Sequence, residues 1–319
     1  MTMAYTALLV GMFLASRWVY RRVRLRRALF MLRRQIAWSL REAPRDLLVL
    51  DVGGGNNPHL RADVVCEKYI DDDLHRGGGV AMDLPLVAGD ASALPFKTGS
   101  FDVVISRALI EHLEDPRRFF EEAGRVARGG LFVAPSEVWE HVMSLTTHLW
   151  TIKRVDDALH FSAKARPIIN PLVHGFLTRR VFDSASKMDD FILDHWDMLR
   201  IDYTWSGQPK CVVHGDPPAG DAAGDAGFEQ ASTIDPAVAV ALAPLERWRA
   251  VVKAVVRRGI HRVLSSHRRV EWSRILACPR CLGDVTVSTD HVACASCRLR
   301  YPYQRGIPIM LLDHAKVMA

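Results

Sequence analysis

The chain has 319 residues, 49% hydrophobic and 24% charged, with a net charge of +6. That is an ordinary globular balance, in a chain long enough for two domains or one large domain with additions. The positive charge is clustered, with arginines crowding residues 17–41 and 247–269 and acids frequent from Asp51 to Asp202. The count therefore does not describe the uniformly basic face that a nucleic-acid partner needs.

Residues 4–20, AYTALLVGMFLASRWVY, are apolar up to Arg17 and run directly into RRVRLRR at 21–27. A spanning helix wants roughly 20 apolar residues, with about 17 as the lower limit. No positive charge precedes the run, the wrong polarity for a cleaved signal peptide. The arginines after it would hold the rest of the chain on the cytoplasmic side. Residues 28–42 continue as a helix, with Leu29, Leu32, Ile36 and Leu40 at helical spacing. Residues 1–42 thus read as an N-terminal hydrophobic and basic helical segment, a membrane anchor or interfacial helix. The alternative is an amphipathic helix docked on the protein's own body. The expected location is cytoplasmic, at the inner face of the membrane, with a membrane surface among the partners.

Residues 43–212 read as an α/β domain. The short apolar run DLLVL at 46–50 is typical of a buried parallel strand, and further strands are expected at 62–67, near Val87, at 101–106 and at 131–135. Pro116 suits the first turn of a helix running to Val126. This alternation predicts a Rossmann-like doubly wound sheet. Residues 137–207, with Trp139, Trp150, Trp196, Trp205 and several histidines, complete the sheet and cover the site, without individual strands being assignable.

Beyond lie a flexible linker at 213–235, rich in Gly, Ala, Asp and Pro, and a basic amphipathic helix at 236–272. That helix has an apolar stripe of Leu245, Trp248, Val252, Val255, Val256, Val263 and Leu264. Packing this stripe on a domain while the arginines are solvated is favoured over binding a membrane surface.

The first strand opens into LVLDVGGGNNPHL at 48–60. Glycines after a strand let the backbone approach a ligand closely. The dinucleotide fingerprint needs a glycine where Pro58 stands, and Asp51 opposes a pyrophosphate, which seeks positive charge. S-adenosylmethionine has the opposite need, since it carries an ammonium and a sulfonium and no phosphate. Residues 89–116, GDASALPFKTGSFDVVISRALIEHLEDP, follow with an acid and a small residue ending one strand and a Leu-Pro-Phe turn leading into the next. In that order the two motifs resemble class I S-adenosylmethionine-dependent methyltransferases of the type 11 group, over residues 46–136.

The resemblance implies that Asp51, Gly53 and Gly55 surround the methionine part of the cofactor. It also implies that Glu67 accepts bonds from the ribose hydroxyls, Asp90 bonds the adenine amino group, the backbone of Ala91 a ring nitrogen, and Ser106 lies beside the cofactor. Asp71, Asp72 and Asp73 compete with Glu67 for the ribose. Asn57 stands where many relatives have a third glycine, a departure the left-handed tolerance of asparagine would absorb.

Of six cysteines, Cys66 and Cys211 are isolated and four form two C-x-x-C knuckles, Cys278 with Cys281 and Cys294 with Cys297. Four thiolates are a closed structural Zn2+ site rather than a disulfide framework. With Tyr301-Pro302 and Gly306-Ile307-Pro308 after the second knuckle, residues 273–313 resemble a Trm112-like zinc ribbon, a family of small partners that activate methyltransferases of RNA and protein.

The function expected is methyl transfer to a small-molecule acceptor, lipid-like or sugar as in type 11 relatives. Glu111 and His112, just past the fourth strand, are the nearest candidates for a base, with helix capping or packing as the competing role of His112. Arg107 is a candidate contact to an acidic substrate. The alternatives are a non-catalytic cofactor-binding scaffold or activator that holds a protein partner through the ribbon, and a methyltransferase acting on RNA or protein.

Overall fold

The computed structural model describes residues 26, 29–71, 79–143, 145, 147–164, 193–217, 255–265 and 270–318. The apolar stretch 4–20, Asp72 and Asp73, and most of the linker lie outside these residues. No helix among the described residues is long and apolar enough to cross a membrane.

A six-stranded sheet carries the fold. Its strands are β1 (Val49–Val52), β2 (Val64–Glu67), β3 (Leu86–Ala88), β4 (Val103–Arg107), β5 (Gly129–Pro135) and β8 (Arg200–Ser206), in the order β3-β2-β1-β4-β5-β8. The first five run parallel, and β1 to β4 are buried almost throughout, as strands covered on both faces are. The last pairs antiparallel to β5, with Phe132 opposite Tyr203. The strand order reverses between β1 and β4, the position where sheets of this kind open a crevice at their carboxyl ends.

Helix α1 (29–42) packs Trp38 against Val49, Val103, Ile105 and Leu131 on one face of the sheet, so it belongs to the sheet's own body. On the other face lies α2 (Pro116–Val126), started by the Asp115 side chain, which accepts from Arg117 N at 3.1 Å, and by Pro116 in the first turn. Its Phe119, Phe120, Ala123 and Val126 are buried at helical spacing. The Phe120 and Phe132 rings meet edge-on, 5.0 Å apart.

Between β5 and β8 the chain forms α3 (Glu137–Met143), the hairpin β6 (Trp150–Val155) and β7 (Ala158–Ala163), and the single turn α4 (Trp196–Leu199). Strand β7 also pairs parallel to β9 (Lys210–His214).

Helix α5 (255–264) buries Leu264 of its expected stripe and exposes Arg258 and Arg262, but departs from the expected facing elsewhere. Val255, Val256 and Val263 are exposed, whereas Arg257 is buried. The reason is a pair of buried acids beneath it. Arg257 Nε bonds Asp83 at 2.9 Å, and Asp63 accepts from Ser265 Oγ at 2.7 Å and contacts His261 Nε2 at 3.1 Å. Polar partners i, i+4 and i+8 outrank the valine stripe because those carboxylates need them.

The C-terminal cysteine module comprises α6 (Trp272–Ile275) and strands β10 (Thr286–Val287), β11 (His291–Cys294), β12 (Leu299–Gln304), β13 (Ile307–Pro308) and β14 (Lys316–Val317). It extends past residue 313, since β14 pairs with β12. The module docks on the β3 edge: Ile309 bridges Ala88 in parallel, and Met310 N donates to Ala88 O at 2.8 Å. A second seam joins Phe96 to Leu276, with Ala277 N donating to Pro95 O at 3.0 Å. Leu276, Cys278, Val292 and Tyr301 share one apolar cluster with Leu94, Phe96 and Phe101. An edge that would otherwise offer unpaired backbone groups is thereby covered.

Candidate active site

β1 and β4 pair as far as Val52 and Ser106 at their carboxyl ends, and the glycine loop begins there. Gly53 and Gly55 take positive φ, +74° and +53°, a conformation open to glycine at no cost. A Cβ on Gly53 would lie 3.1 Å from the Leu109 side chain, and one on Gly54 would lie 3.0 Å from Asp51 Oδ2. Asn57 is not among the residues with positive φ, which corrects the expectation of a left-handed asparagine. Its N–H instead donates to Gly54 O at 3.0 Å. Its carbonyl accepts from Arg107 Nη2, so Arg107, expected to meet a substrate, is turned back onto the glycine loop.

Asp51 is fully buried. Oδ2 accepts from His59 N at 2.6 Å, while Oδ1 has no hydrogen-bond partner among the described residues. Burial pushes its pKa up to about 6, with Glu67 adding and the nearby Arg107 opposing. A buried carboxylate with one oxygen unmatched is expensive, and a cationic ligand group would match it.

Glu67, at the end of β2, accepts from Gly55 N at 3.1 Å and from Lys68 N at 3.0 Å. Its competitor Asp71 is bonded by Gln304 Nε2 at 2.6 Å and paired with Arg305 of the cysteine module. Asp90 follows β3. It accepts from Ser92 N at 2.8 Å and pairs with Lys68 Nζ at 2.7 Å. Burial pushes the Asp90 carboxyl up, but the bonds from Lys68 and Ser92 outweigh it and hold the pKa below its ordinary value. Ala91 is buried beside it, and the buried Ser106 hydroxyl, in β4, has no partner among the described residues.

Glu111 and His112 lie in a 3-10 turn, Ile110–His112, directly after Leu109. Glu111 is 1% exposed and neither carboxylate oxygen has a hydrogen-bond partner among the described residues. His112 Nδ1 lies 2.9 Å from Thr147 O. Sequence reasoning missed the groups that join them. His148 sets its ring edge-on to His112 with centroids 4.7 Å apart. Its Nδ1 contacts buried Glu140, whose other oxygen accepts from buried Lys164 Nζ at 2.9 Å. Burial pushes Glu140 up, yet the hydrogen bond from His148 and then the charge and bond of Lys164 bring it below its ordinary value. Only the density of histidines in that stretch pointed there.

The four clustered cysteines are free thiols whose sulfurs lie within 4.8 Å of one another. Leu282 and Arg298, each directly after a knuckle, take positive φ, which turns the backbone around the cluster.

A family profile described as a methyltransferase domain matches residues 60–134. An uncharacterized methyltransferase of Mycobacterium sp. (strain JLS) is 33% identical over 127 residues, 35% of this chain and 50% of that protein. Ajmaline N-methyltransferase of Rauvolfia serpentina is 33% identical over 98 residues, 27% of this chain and 34% of that protein. Among solved structures, the complex of the Haloferax volcanii Trm112 methyltransferase activator with a methyltransferase aligns at a TM-score of 0.34 and 15% identity, covering 60% of this chain and 97% of that one. The chain spans about half the length of the mycobacterial relative it matches. Over residues 60–134 the chain is similar to methyltransferase domains.

Proposed function

We propose that the chain transfers the methyl group of S-adenosylmethionine to a small-molecule acceptor of the lipid-like or sugar kind. The observation that carries this reading is the fully buried Asp51, its Oδ1 unmatched, beside the bare backbone of Gly53 and Gly55. A carboxylate in that position suits the donor's ammonium and opposes a nucleotide's phosphates. Arg107, close enough to influence Asp51, suits the donor's carboxylate. Ser106 would lie beside the methionine part, Glu67 would hold the ribose hydroxyls, and Asp90 and the Ala91 backbone would hold the adenine. The bound donor supplies a methyl carbon made electrophilic by its sulfonium.

The chain's own contribution is alignment of that carbon with the acceptor, which lowers the barrier without new chemistry. Glu111 and His112 take the proton that a hydroxyl acceptor gives up. The four cysteines hold a zinc ion with no position left open, in a Trm112-like ribbon that serves this chain's own domain through the β3 edge.

Isothermal titration of the full chain with S-adenosylmethionine tests the reading, and saturable binding that Asp51→Ala weakens at least tenfold is expected. Absence of binding by the folded protein would refute it.

A further inference from the structure

Glu111, His112 and His148 bring three ligand atoms within 4.8 Å of one another. The site is built from two segments held together by backbone, since Leu149 N donates to Glu111 O at 2.9 Å. Its protonation pattern follows from its neighbours. His112 Nδ1 faces the Thr147 carbonyl at 2.9 Å, an acceptor only, so that nitrogen carries the hydrogen and Nε2 the lone pair. His148 Nδ1 faces the Glu140 carboxylate, which fixes the same tautomer. Two imidazole lone pairs therefore accompany a buried carboxylate, Glu111, whose oxygens are both unmatched among the described residues. A cation would answer the unmatched Glu111 oxygens, and the two imidazole nitrogens beside them suit it as further ligands.

We infer that Glu111, His112 and His148 form a divalent transition-metal site, separate from the four cysteines, with zinc the best-suited ion. Two imidazoles and one carboxylate are a borderline ligand set that favours zinc over magnesium or calcium. The Glu140 carboxylate behind His148, itself held by Lys164, is the outer partner that orients a metal-binding imidazole. Three protein ligands leave a coordination position open, unlike the closed site of four thiolates. The turn that carries Glu111 and His112 starts at Leu109, whose side chain lies against Gly53, so the site adjoins the glycine loop through this residue.

The site stands without the methyl-transfer reading; only its use rests on it. A hydroxyl or thiol acceptor bound there would lose its proton to water more readily. Its lone pair then forms the bond to the methyl carbon as the carbon–sulfur bond breaks towards sulfur. The ion takes over the proton-releasing task of Glu111 and His112.

Titrating the full chain with cobalt(II) separates the two sites by spectrum. Cobalt on four thiolates shows intense sulfur-to-metal charge transfer, and cobalt on imidazole and carboxylate shows only weak d–d bands. Two cobalt ions per chain are expected, one of each kind. Glu111→Gln, close in shape, and His148→Ala should each abolish the weak-band ion and keep the charge-transfer bands, which also report that the module is folded. A single thiolate-bound cobalt in the unsubstituted chain, or a weak-band ion that survives both substitutions, would overturn the site. Calorimetry with S-adenosylmethionine on the same samples keeps the two readings apart, since donor binding without the second cobalt refutes the metal site alone.

Discussion

Asp51→Asn should raise the stability of the donor-free protein while destroying its affinity for the donor. The Asp51 carboxyl is raised from 3.8 to about 6 by burial, so the folded state resists the ionised form. A carboxyl with a raised folded pKa contributes stability that is complete below the unfolded pKa and is lost as pH rises through the folded one. The loss here falls between about pH 4 and pH 6. At about 1.4 kcal/mol per tenfold change in protonation equilibrium, the ionised carboxylate costs on the order of 3 kcal/mol at pH 7. Asparagine keeps an oxygen for His59 N and carries no charge, so much of that cost should disappear. Urea unfolding at pH 7 should show a higher midpoint at unchanged slope, with the two proteins converging below pH 4. Donor affinity of the unsubstituted protein should fall as pH drops through about 6, where Asp51 takes up its proton. If Asp51→Asn were less stable at pH 7, or bound the donor normally, the assignment of a cation-seeking carboxylate would be wrong.

Glu67→Ala and Asp90→Ala should each weaken S-adenosylmethionine binding in calorimetry. The half-exposed Lys68–Asp90 pair should cost the fold less than about 1 kcal/mol when broken. Arg257→Ala leaves Asp83 buried without its partner and should destabilise by roughly 3–5 kcal/mol, read as a lowered unfolding midpoint. Cys278→Ser should release metal, measured by mass spectrometry of metal content. Because Cys278 shares a cluster with Phe96 and Phe101, it should also lower the melting temperature of the whole protein.

Continuous apolar runs made the parallel strands legible, because a strand buried on both faces has no polar side to show. The observed β1, β2, β4 and β5 lie within a few residues of the expected ones. Helix α2 was expected from Pro116 to Val126 and forms over those residues. The stretch after β5 was not readable. Ile201, Tyr203 and Trp205 do alternate inward along β8, but a six-residue alternation among scattered tryptophans does not stand out. In α5 the facing of Arg257 and of the three valines was misjudged, because what decides it, Asp63 and Asp83, lies far away along the chain.

The site divides the same way. Asp51 and its glycines are neighbours in sequence and could be read as one motif. Arg107 reaching Asn57, and His148 meeting Glu140 and His112, depend on loops whose approach no spacing records.

The seam between Ala88 and Ile309 has a consequence for how the protein is made. A ribosome delivers β3 long before it delivers the residues that cover it. Until then the nascent chain presents a bare strand border, the kind of surface that recruits other extended segments. Covering of that edge must wait for the tail to emerge, and contacts so distant in sequence form slowly. Chains interrupted before the tail emerges should therefore aggregate more readily than the finished protein.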